Sequence, residues 1–447
     1  MIPDGTEDTP REDRDPAGPV GLIESPISMR HALFICFHYP PEASSSGVLR
    51  TLKFTRYLAE HGWRITLIAP AIEAYEVVDL PSAQDIPSTV NVVRTPFLNS
   101  RDHLGVKGRY LAITAVPDRF IGWFPWAVAA GRKVARADPV DVVYSTSPHP
   151  TAHLIARSLS NTLRKPWVCD FRDPWHEEIP EEGAPTGRLF RQLERWLEHK
   201  VVSDSAHVVT TTRELRDKLE QRYPSVPRSR FSVIPNGYDE ADFAEISVAE
   251  RTRSARMCVI HTGSINPSFR DPIPLFAALK RAADRKGLVL ANIRLRFVGG
   301  GAYAESMQLK DAAARFGLSD VFEVVTRLPY AGALRELASA DVLLLLQVSE
   351  DTRGLIPAKL YEYLRMQKPV LALTLPGESS ALLEETGGGV AIDPVDTDKL
   401  ADVLTELYRH WREGTLDSMH AQPSSVRRYE RRAQAAELAK VFAQVTS

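Results

Sequence analysis

Residues 353–373 read RGLIPAKLYEYLRMQKPVLAL. The run ends in PVLAL, a short apolar stretch of the kind that forms a strand covered on both faces. Ahead of it, Leu360, Tyr361, Tyr363 and Leu364 mark a packed helix. Pro357 suits the first helical position, where its missing N–H costs little. The N-terminus of such a helix carries partial positive charge. Lys359 in the first turn opposes that dipole, so helix stabilisation does not explain it, whereas a docked phosphate would. Glu362 lies one turn on as an i,i+3 neighbour, and a carboxylate there can accept two hydroxyl hydrogen bonds from a ribose. The competing reading is an exposed Lys–Glu pair contributing a few tenths of a kcal/mol.

A helix feeding a buried strand is one unit of an α/β repeat, and the pattern extends in both directions. Upstream, HALFICF (31–37), RITLIAP (64–70), VDVVYST (140–146), KPWVCDF (165–171) and AHVVTTT (206–212) are strand-like runs with amphipathic segments between them. The theme lapses near 240–256 and restarts with CVIHTGS (258–264), IRLRFVGGG (293–301) and DVLLLLQVS (341–349). Strand–helix alternation of this kind predicts parallel sheets. Two doubly wound, Rossmann-like domains are expected, at 29–245 and 256–420, which suits a chain of 447 residues. Residues 1–28, rich in Pro, Gly, Asp and Glu, read as a disordered tail without a signal peptide. Residues 424–447 read as an amphipathic C-terminal helix able to pack back on the first domain.

Composition narrows the function. A net charge of −2 provides no global basic field, so no nucleic-acid partner is expected. Cys36, Cys169 and Cys258 each sit in or beside an apolar run and read as buried reduced thiols, consistent with a cytosolic compartment. No apolar run reaches the ~18–20 residues that span a bilayer.

Chemistry-bearing residues gather where strands end. YPPEASSSGVLR (39–50) joins the first strand to the first helix, and Ser46 and Gly47 leave backbone N–H groups exposed at a helix start, suited to an anion or a sugar oxygen. It is neither a P-loop nor GxGxxG. DFRDPWHEE (170–178) crowds Asp170, Arg172 and Asp173 at a strand end beside Trp175. Such clusters favour function, and a mutual Asp–Arg–Asp salt-bridge network is the other reading. His149 and His153 in YSTSPHPTAH stand four apart, but Pro150 and the lack of a following acid favour a polar loop over a metal site. HTGSINPSFRDP brings Gly263, Ser264 and Arg270 after a strand, FVGGGAY brings Gly299 and Gly300, and VIPNGYD brings Asn236.

In this order, YPPEASSSGVLR, DFRDPW, VIPNGYD, HTGS, IPAKLYEYLRMQKPVLAL and PGESSALLEETGGGVAIDPVD resemble the family 4 glycosyltransferases, retaining enzymes of GT-B fold, with the flavour of bacterial surface-polysaccharide transferases. The resemblance covers most of 30–445. It implies that the helix of Lys359, Leu360 and Glu362 binds a nucleotide sugar, with Glu362 as the second Glu of an E-x7-E motif. The first falls at Gly354 and is missing. Where many members place an Arg after the HTG glycine, this chain has Ser264, and the resemblance leaves Lys359, with Arg270, to supply the charge. Gly47 corresponds to the glycine loop that approaches the diphosphate, and Gly377 and Glu378 would lie near the donor sugar. Lys359, Asp170, Arg172 and Asp173 are the expected catalytic groups, and His149, Trp175 and Asn236 the acceptor side.

The implied reaction moves a sugar from a nucleotide diphosphate to a hydroxyl with retention, the donor being a substrate rather than a cofactor. No DxD lies at a plausible site, since DRD (13–15) is in the tail and DTD (396–398) starts a helix, so metal independence is expected. The aromatic run PDRFIGWFPWAVAAGRK (117–133), with Phe120, Trp123, Phe124 and Trp126, reads either as peripheral contact with a membrane bearing a lipid-linked glycan acceptor or as a core helix. The first reading puts a cytoplasmic enzyme at the inner face of the plasma membrane. A nucleotide-sugar 2-epimerase and an inactive partner subunit are the alternatives.

Overall fold

The computed structural model describes residues 29–43, 47–105, 110–175, 187–244, 246 and 255–447. The expected tail, Ser46 and most of the segment between the two repeats lie outside the described residues.

The first sheet has seven parallel strands, β1 (Arg30–Cys36), β2 (Trp63–Pro70), β3 (Val90–Thr95), β4 (Val142–Thr146), β5 (Trp167–Phe171), β6 (His207–Thr210) and β7 (Phe231–Val233), in the order 3-2-1-4-5-6-7. The second has six, β8 (Met257–Thr262), β9 (Ile293–Val298), β10 (Phe322–Val325), β11 (Val342–Gln347), β12 (Val370–Thr374) and β13 (Gly389–Ile392), in the order 10-9-8-11-12-13. The helices used below are α1 (Gly47–Tyr57), α2 (Phe124–Ala137), α3 (Thr151–Leu163), α4 (Arg188–Asp204), α5 (Arg213–Arg222), α6 (Ile273–Lys286), α7 (Ala358–Arg365), α8 (Glu378–Thr386), α9 (Thr397–Glu413) and α10 (Arg431–Thr446).

Both sheets are covered on both faces, as near-continuous apolar strands require. On the first, Leu33 and Ile35 face Ile155, Leu159 and Val201 from α3 and α4, while Phe34 and Tyr144 face Leu52, Leu438 and Phe442 from α1 and α10. On the second, Leu295 and Leu344 meet Phe276 and Leu404 of α6 and α9, and Leu343 and Leu345 meet Leu360 and Leu364 of α7. In each sheet the strand order reverses beside the first-formed strand, between β1 and β4 and between β8 and β11. Doubly wound sheets bind ligands outside the carboxyl ends at that switch point. The loops there carry Gly47, His149, Gly263 and Lys359.

The last element belongs to the first sheet. α10 packs along α1, and Phe442 lies edge-on to Phe34 and Trp63 at 6.1 and 5.1 Å between ring centroids. The segment 424–447 is therefore not one helix. A short turn (Pro423–Val426) and a single 3-10 turn precede an extended Glu430, and the long helix starts at Arg431. The interruption has a cause: the Tyr238 N–H donates to the Tyr429 carbonyl (3.1 Å) and the Arg431 N–H to the Tyr238 carbonyl (2.8 Å), diverting the chain into a bridge with the outgoing linker. A Cβ on Gly237 would stand 1.9 Å from the Tyr429 oxygen, so only glycine permits that approach. Between the sheet, α10 and the outgoing linker, α1 is buried nearly all round, with Arg50 bonded to Asp170 and the Pro235 carbonyl and Lys53 to Asp239 and Asp242.

Candidate active site

The second-sheet half is built around the start of α7. Pro357 is the N-cap, one position earlier than the sequence suggests, and Ala358 opens the helix. The Lys359 ammonium donates to the Thr262 carbonyl and stands over Gly263, whose φ of +90° suits glycine. The Tyr363 hydroxyl accepts the Thr262 N–H at 3.1 Å and fixes that strand end. Arg270 folds back on Ser264, donating to its carbonyl (3.1 Å) and hydroxyl (3.2 Å). The glycine loop is laced to the same turn, with Gly263 donating to Val298 and Ile265 to Gly300. Gly299 and Gly300 thus line the floor.

Electrostatically this corner is short of negative charge. Burial lowers the Lys359 ammonium to a pKa of about 7, nearby Arg270 adds to the effect, and Glu362 offsets only part of it. Arg270 is itself lowered by burial. Two cations at a helix N-terminus are held in a form that an anion would stabilise. Glu362 accepts the Tyr330 hydroxyl at 2.8 Å, and burial raises its carboxyl above the usual range. Leu360 is corrected: it is fully buried, and its N–H is taken by the Pro357 carbonyl at 3.0 Å, so it offers a donor nothing.

The missing Glu has a physical counterpart. A Cβ on Gly354 would meet Glu214 Oε1 at 2.8 Å, so a carboxylate from the first domain stands where a side chain at 354 would begin. Glu214 also pairs with Lys218 at 3.1 Å. With Pro174, Glu350, Asp351 and Arg353 these groups line a cavity of about 290 Å³ between the halves. Glu378 reaches across and accepts the Glu214 N–H at 2.6 Å, satisfying one donor in the first turn of α5. Gly377 packs on the Arg353 carbonyl, to which the Glu378 N–H donates at 2.9 Å. Glu378 therefore ties the two halves together.

The first-sheet half departs further from expectation. Asp170 is fully buried and grips Arg50 through both oxygens (2.8 and 3.0 Å), while the Tyr144 and Thr146 hydroxyls also donate to it. Arg50 beside it holds its carboxyl below the usual range against burial. With no exposed surface and both oxygens bonded within the protein, Asp170 serves as a structural anchor. The Asp–Arg–Asp salt-bridge network, the other reading of DFRD, is absent, because Arg50 of α1, instead of Arg172, holds Asp170. Asp173 is half-buried, with no hydrogen bond to another described residue. Trp175 is 8% exposed and packs with His153 and Phe171, so it is core rather than acceptor surface. Asn236 follows β7, three strand spacings or about 14 Å from the end of β4. Its carbonyl accepts from Gln434 (2.9 Å), which makes it part of the crossing between halves.

His149 sits in the loop that follows β4, at the carboxyl end of the first sheet. It stacks on His38 (5.2 Å) and touches Phe37 and Phe120, and burial holds its imidazole well below its ordinary pKa. His153 is interior, bonded to the Ser145 hydroxyl at 2.8 Å. Of the aromatic run, Phe120 and Trp123 are core and Trp126 is exposed. Sequence reasoning also missed Arg431, 2% exposed, whose pKa burial lowers to about 10 and on which Glu362 and Tyr361 act. In VRRYERRAQ it looks like one more surface arginine.

Residues 47–237 match the family model described as a glycosyl transferase 4-like domain, and residues 257–410 the one described as glycosyl transferases group 1. No curated protein matches. Similar solved structures include Anabaena HepE in complex with UDP (15% identity, TM-score 0.64, 93% of this chain and 100% of that one). Sucrose-phosphate synthase from Thermosynechococcus elongatus is also similar (13%, 0.63, 93% and 98%). So is a UDP-forming trehalose-phosphate synthase from Burkholderia xenovorans (12%, 0.64, 94% and 100%). At these identities the likeness is one of fold.

Proposed function

For this chain, a glycosyltransferase of GT-B fold with a 4-like domain followed by a group 1 domain, we propose transfer of a sugar from a nucleoside diphosphate sugar to an acceptor hydroxyl with retention of configuration. The observation that carries this is the Lys359–Arg270 pair at the mouth of α7, two cations with no carboxylate among the described residues bonded to either. The diphosphate gains charge as the glycosidic bond breaks, and these groups with the helix N-terminus stabilise it. Glu362, one turn on, accepts hydroxyls of the ribose. The acceptor hydroxyl attacks from the face the diphosphate leaves and passes its proton to a leaving-group oxygen. HepE, solved with UDP and with UDP-glucose, supports a donor of this class.

The acceptor side is proposed to work at a membrane surface in polysaccharide or glycolipid synthesis. No helix among the described residues is long and apolar enough to cross a membrane. α2, α3 and α4 lie side by side on one face of the first sheet. Their exposed positions include Trp126, Arg132, Lys133 and Arg136 on α2, and Arg188, Leu189, Arg191, Arg195 and Trp196 on α4. The nearby acids are engaged: Glu198 is buried on Arg222, and Asp204 pairs with Arg157. Tryptophan with arginine on one face fits a layer of anionic headgroups.

The test is a thermal-shift screen with UDP, GDP, ADP, dTDP and CMP, with NAD as control. At 100 times its Kd a ligand adds about 2.7 kcal/mol. One nucleotide should shift the protein and lose its effect in Lys359→Ala and Glu362→Ala. A shift that survives both variants refutes the site. Product analysis with donor alone separates transfer from 2-epimerisation.

A further inference from the structure

The chain leaves β10 through TRLP and enters the helix Tyr330–Ser339. This loop runs beside the glycine floor: the Gly299 N–H donates to the Val325 carbonyl at 2.9 Å, and a Cβ on Gly299 would stand 3.8 Å from the Arg327 Cα. The helix is then held down by Leu334 and Leu337, i,i+3 neighbours that share one buried cluster with Leu360 and Leu364 of α7. That packing sets its first residue, Tyr330, beside α7.

Tyr330 is 40% exposed, so its hydroxyl has water within easy reach. It turns inward instead and donates to Glu362 Oε1 at 2.8 Å. Helix packing does not need this bond, because Leu334 and Leu337 already supply the contact. The carboxylate does need it. Glu362 stands among Tyr330, Asp242 of the outgoing linker, Lys359 on its own helix and Arg431 of α10. Burial and Asp242 favour its neutral form, whereas Tyr330, Lys359 and Arg431 favour the charged one. Among the described residues Tyr330 alone hydrogen-bonds this side chain, and its second oxygen is left to accept elsewhere. A carboxyl that takes two ribose hydroxyls has to be ionised, since protonation turns an acceptor into a donor, and its plane has to be fixed. The phenol supplies both conditions.

We propose that Tyr330 is a positioning residue for the nucleoside: by fixing the Glu362 carboxylate it makes the loop after β10 a determinant of ribonucleotide affinity, with no part in gripping the diphosphate. The inference rests on the proposed reading of Glu362 as the acceptor of ribose hydroxyls. The ligand class it selects is a ribonucleotide, recognised through its vicinal diol.

The experiment is calorimetric titration of the full chain, Tyr330→Phe, Glu362→Gln and the double variant at pH 5.5 and 7.5. The ligands are UDP, GDP, ADP, the 2′-deoxy form of whichever binds best, and inorganic pyrophosphate. Phenylalanine keeps the ring, so Tyr330→Phe should melt close to wild type. It should bind the preferred ribonucleotide about tenfold more weakly at pH 5.5 and lose less at pH 7.5, because the carboxyl now holds its proton to a higher pH. Pyrophosphate binding should be unchanged, and the deoxynucleotide, with one hydroxyl fewer, should lose less. Adding Tyr330→Phe to Glu362→Gln should cost nothing further, since the phenol acts through the carboxylate. The inference is overturned if Glu362→Gln weakens ribonucleotide binding and Tyr330→Phe does not. An equal loss for ribonucleotide and pyrophosphate would also overturn it, making Tyr330 a structural prop, as would tighter binding, which would make the phenol a competitor of the ribose. Normal ribonucleotide binding by Glu362→Gln, or none by wild type, would instead refute the underlying reading of the donor site and take the inference with it.

Discussion

Replacing Lys359 with methionine preserves the length of the side chain and removes its charge. The lysine stands where burial and Arg270 bring its pKa from 10.5 to about 7. At 1.36 kcal/mol per pH unit, that depression corresponds to a ceiling of about 5 kcal/mol for holding the ammonium there. The hydrogen bond to the Thr262 carbonyl returns ~1 kcal/mol, and water reaching the cleft lowers the ceiling further. Lys359→Met is therefore expected to stabilise the ligand-free protein by roughly 1–3 kcal/mol at pH 6. The sign of the pH dependence follows from linkage. Between pH 7 and 10.5 the unfolded chain holds a proton that the folded chain has released, so wild-type stability rises with pH across that window. The advantage of the methionine variant should shrink accordingly and vanish near pH 10.5. Nucleotide binding runs the other way: it needs the ammonium, so affinity falls above pH 7 and binding takes up a proton. Urea denaturation at pH 6 and 9, with calorimetric titration of UDP in buffers of different ionisation enthalpy, measures both. A variant that is less stable than wild type at pH 6 and binds the nucleotide normally would refute the argument, making Lys359 a prop for the β8 turn.

Asp170→Ala should cost ~3–5 kcal/mol by stranding Arg50 in the core, and the double variant Arg50→Met/Asp170→Leu should recover much of it in denaturant titrations; an Asp170→Ala protein that folds normally but is inactive would restore a catalytic role. Gly354→Glu, which writes the absent motif residue back in, should destabilise by ~1–3 kcal/mol because it meets Glu214, and adding Glu214→Gly should relieve the loss in the same measurement. Trp126→Ala/Trp196→Ala should lower co-sedimentation with phosphatidylserine vesicles severalfold and leave binding to neutral vesicles, already weak, unchanged; equal binding by wild type and variant would remove the membrane face.

Much of the fold could be read in the chain because parallel strands buried on both faces leave continuous apolar runs such as DVLLLL, and each is followed by a turn and a helical period. The start of α7 was legible for a similar reason: a lysine set against a helix dipole is a local contradiction that sequence can show. The first-sheet half was not, because its meaning is tertiary. Asp170 and Arg172 look alike in DFRD, yet Arg50, 120 positions away, satisfies one and leaves the other unbonded. Arg50 and Lys53 lie on a helix whose burial the sequence does not show, because their partners, Asp170, Asp239 and Asp242, are brought to them by the fold. Glu214 and Gly354 share no motif and meet only when the two domains face each other. The interruption at 427–430 leaves the helical periodicity of VRRYERRAQ intact, since its cause is the backbone of Tyr238.

The return of α10 to the first sheet also orders events in time. A ribosome releases β1 to β7 long before it reaches Arg431, about 200 residues later, which at 5–20 residues per second is roughly 10–40 s. Through that interval Phe34, Leu52 and Trp63 lack the cover that Leu438 and Phe442 supply. The nascent first half must wait with an open apolar flank while the second sheet is translated, and it closes only with the final sixteen-residue helix. Losing the stretch from Leu438 onward, Phe442 included, would leave that flank open for good, so a stop codon there would damage a domain encoded far upstream.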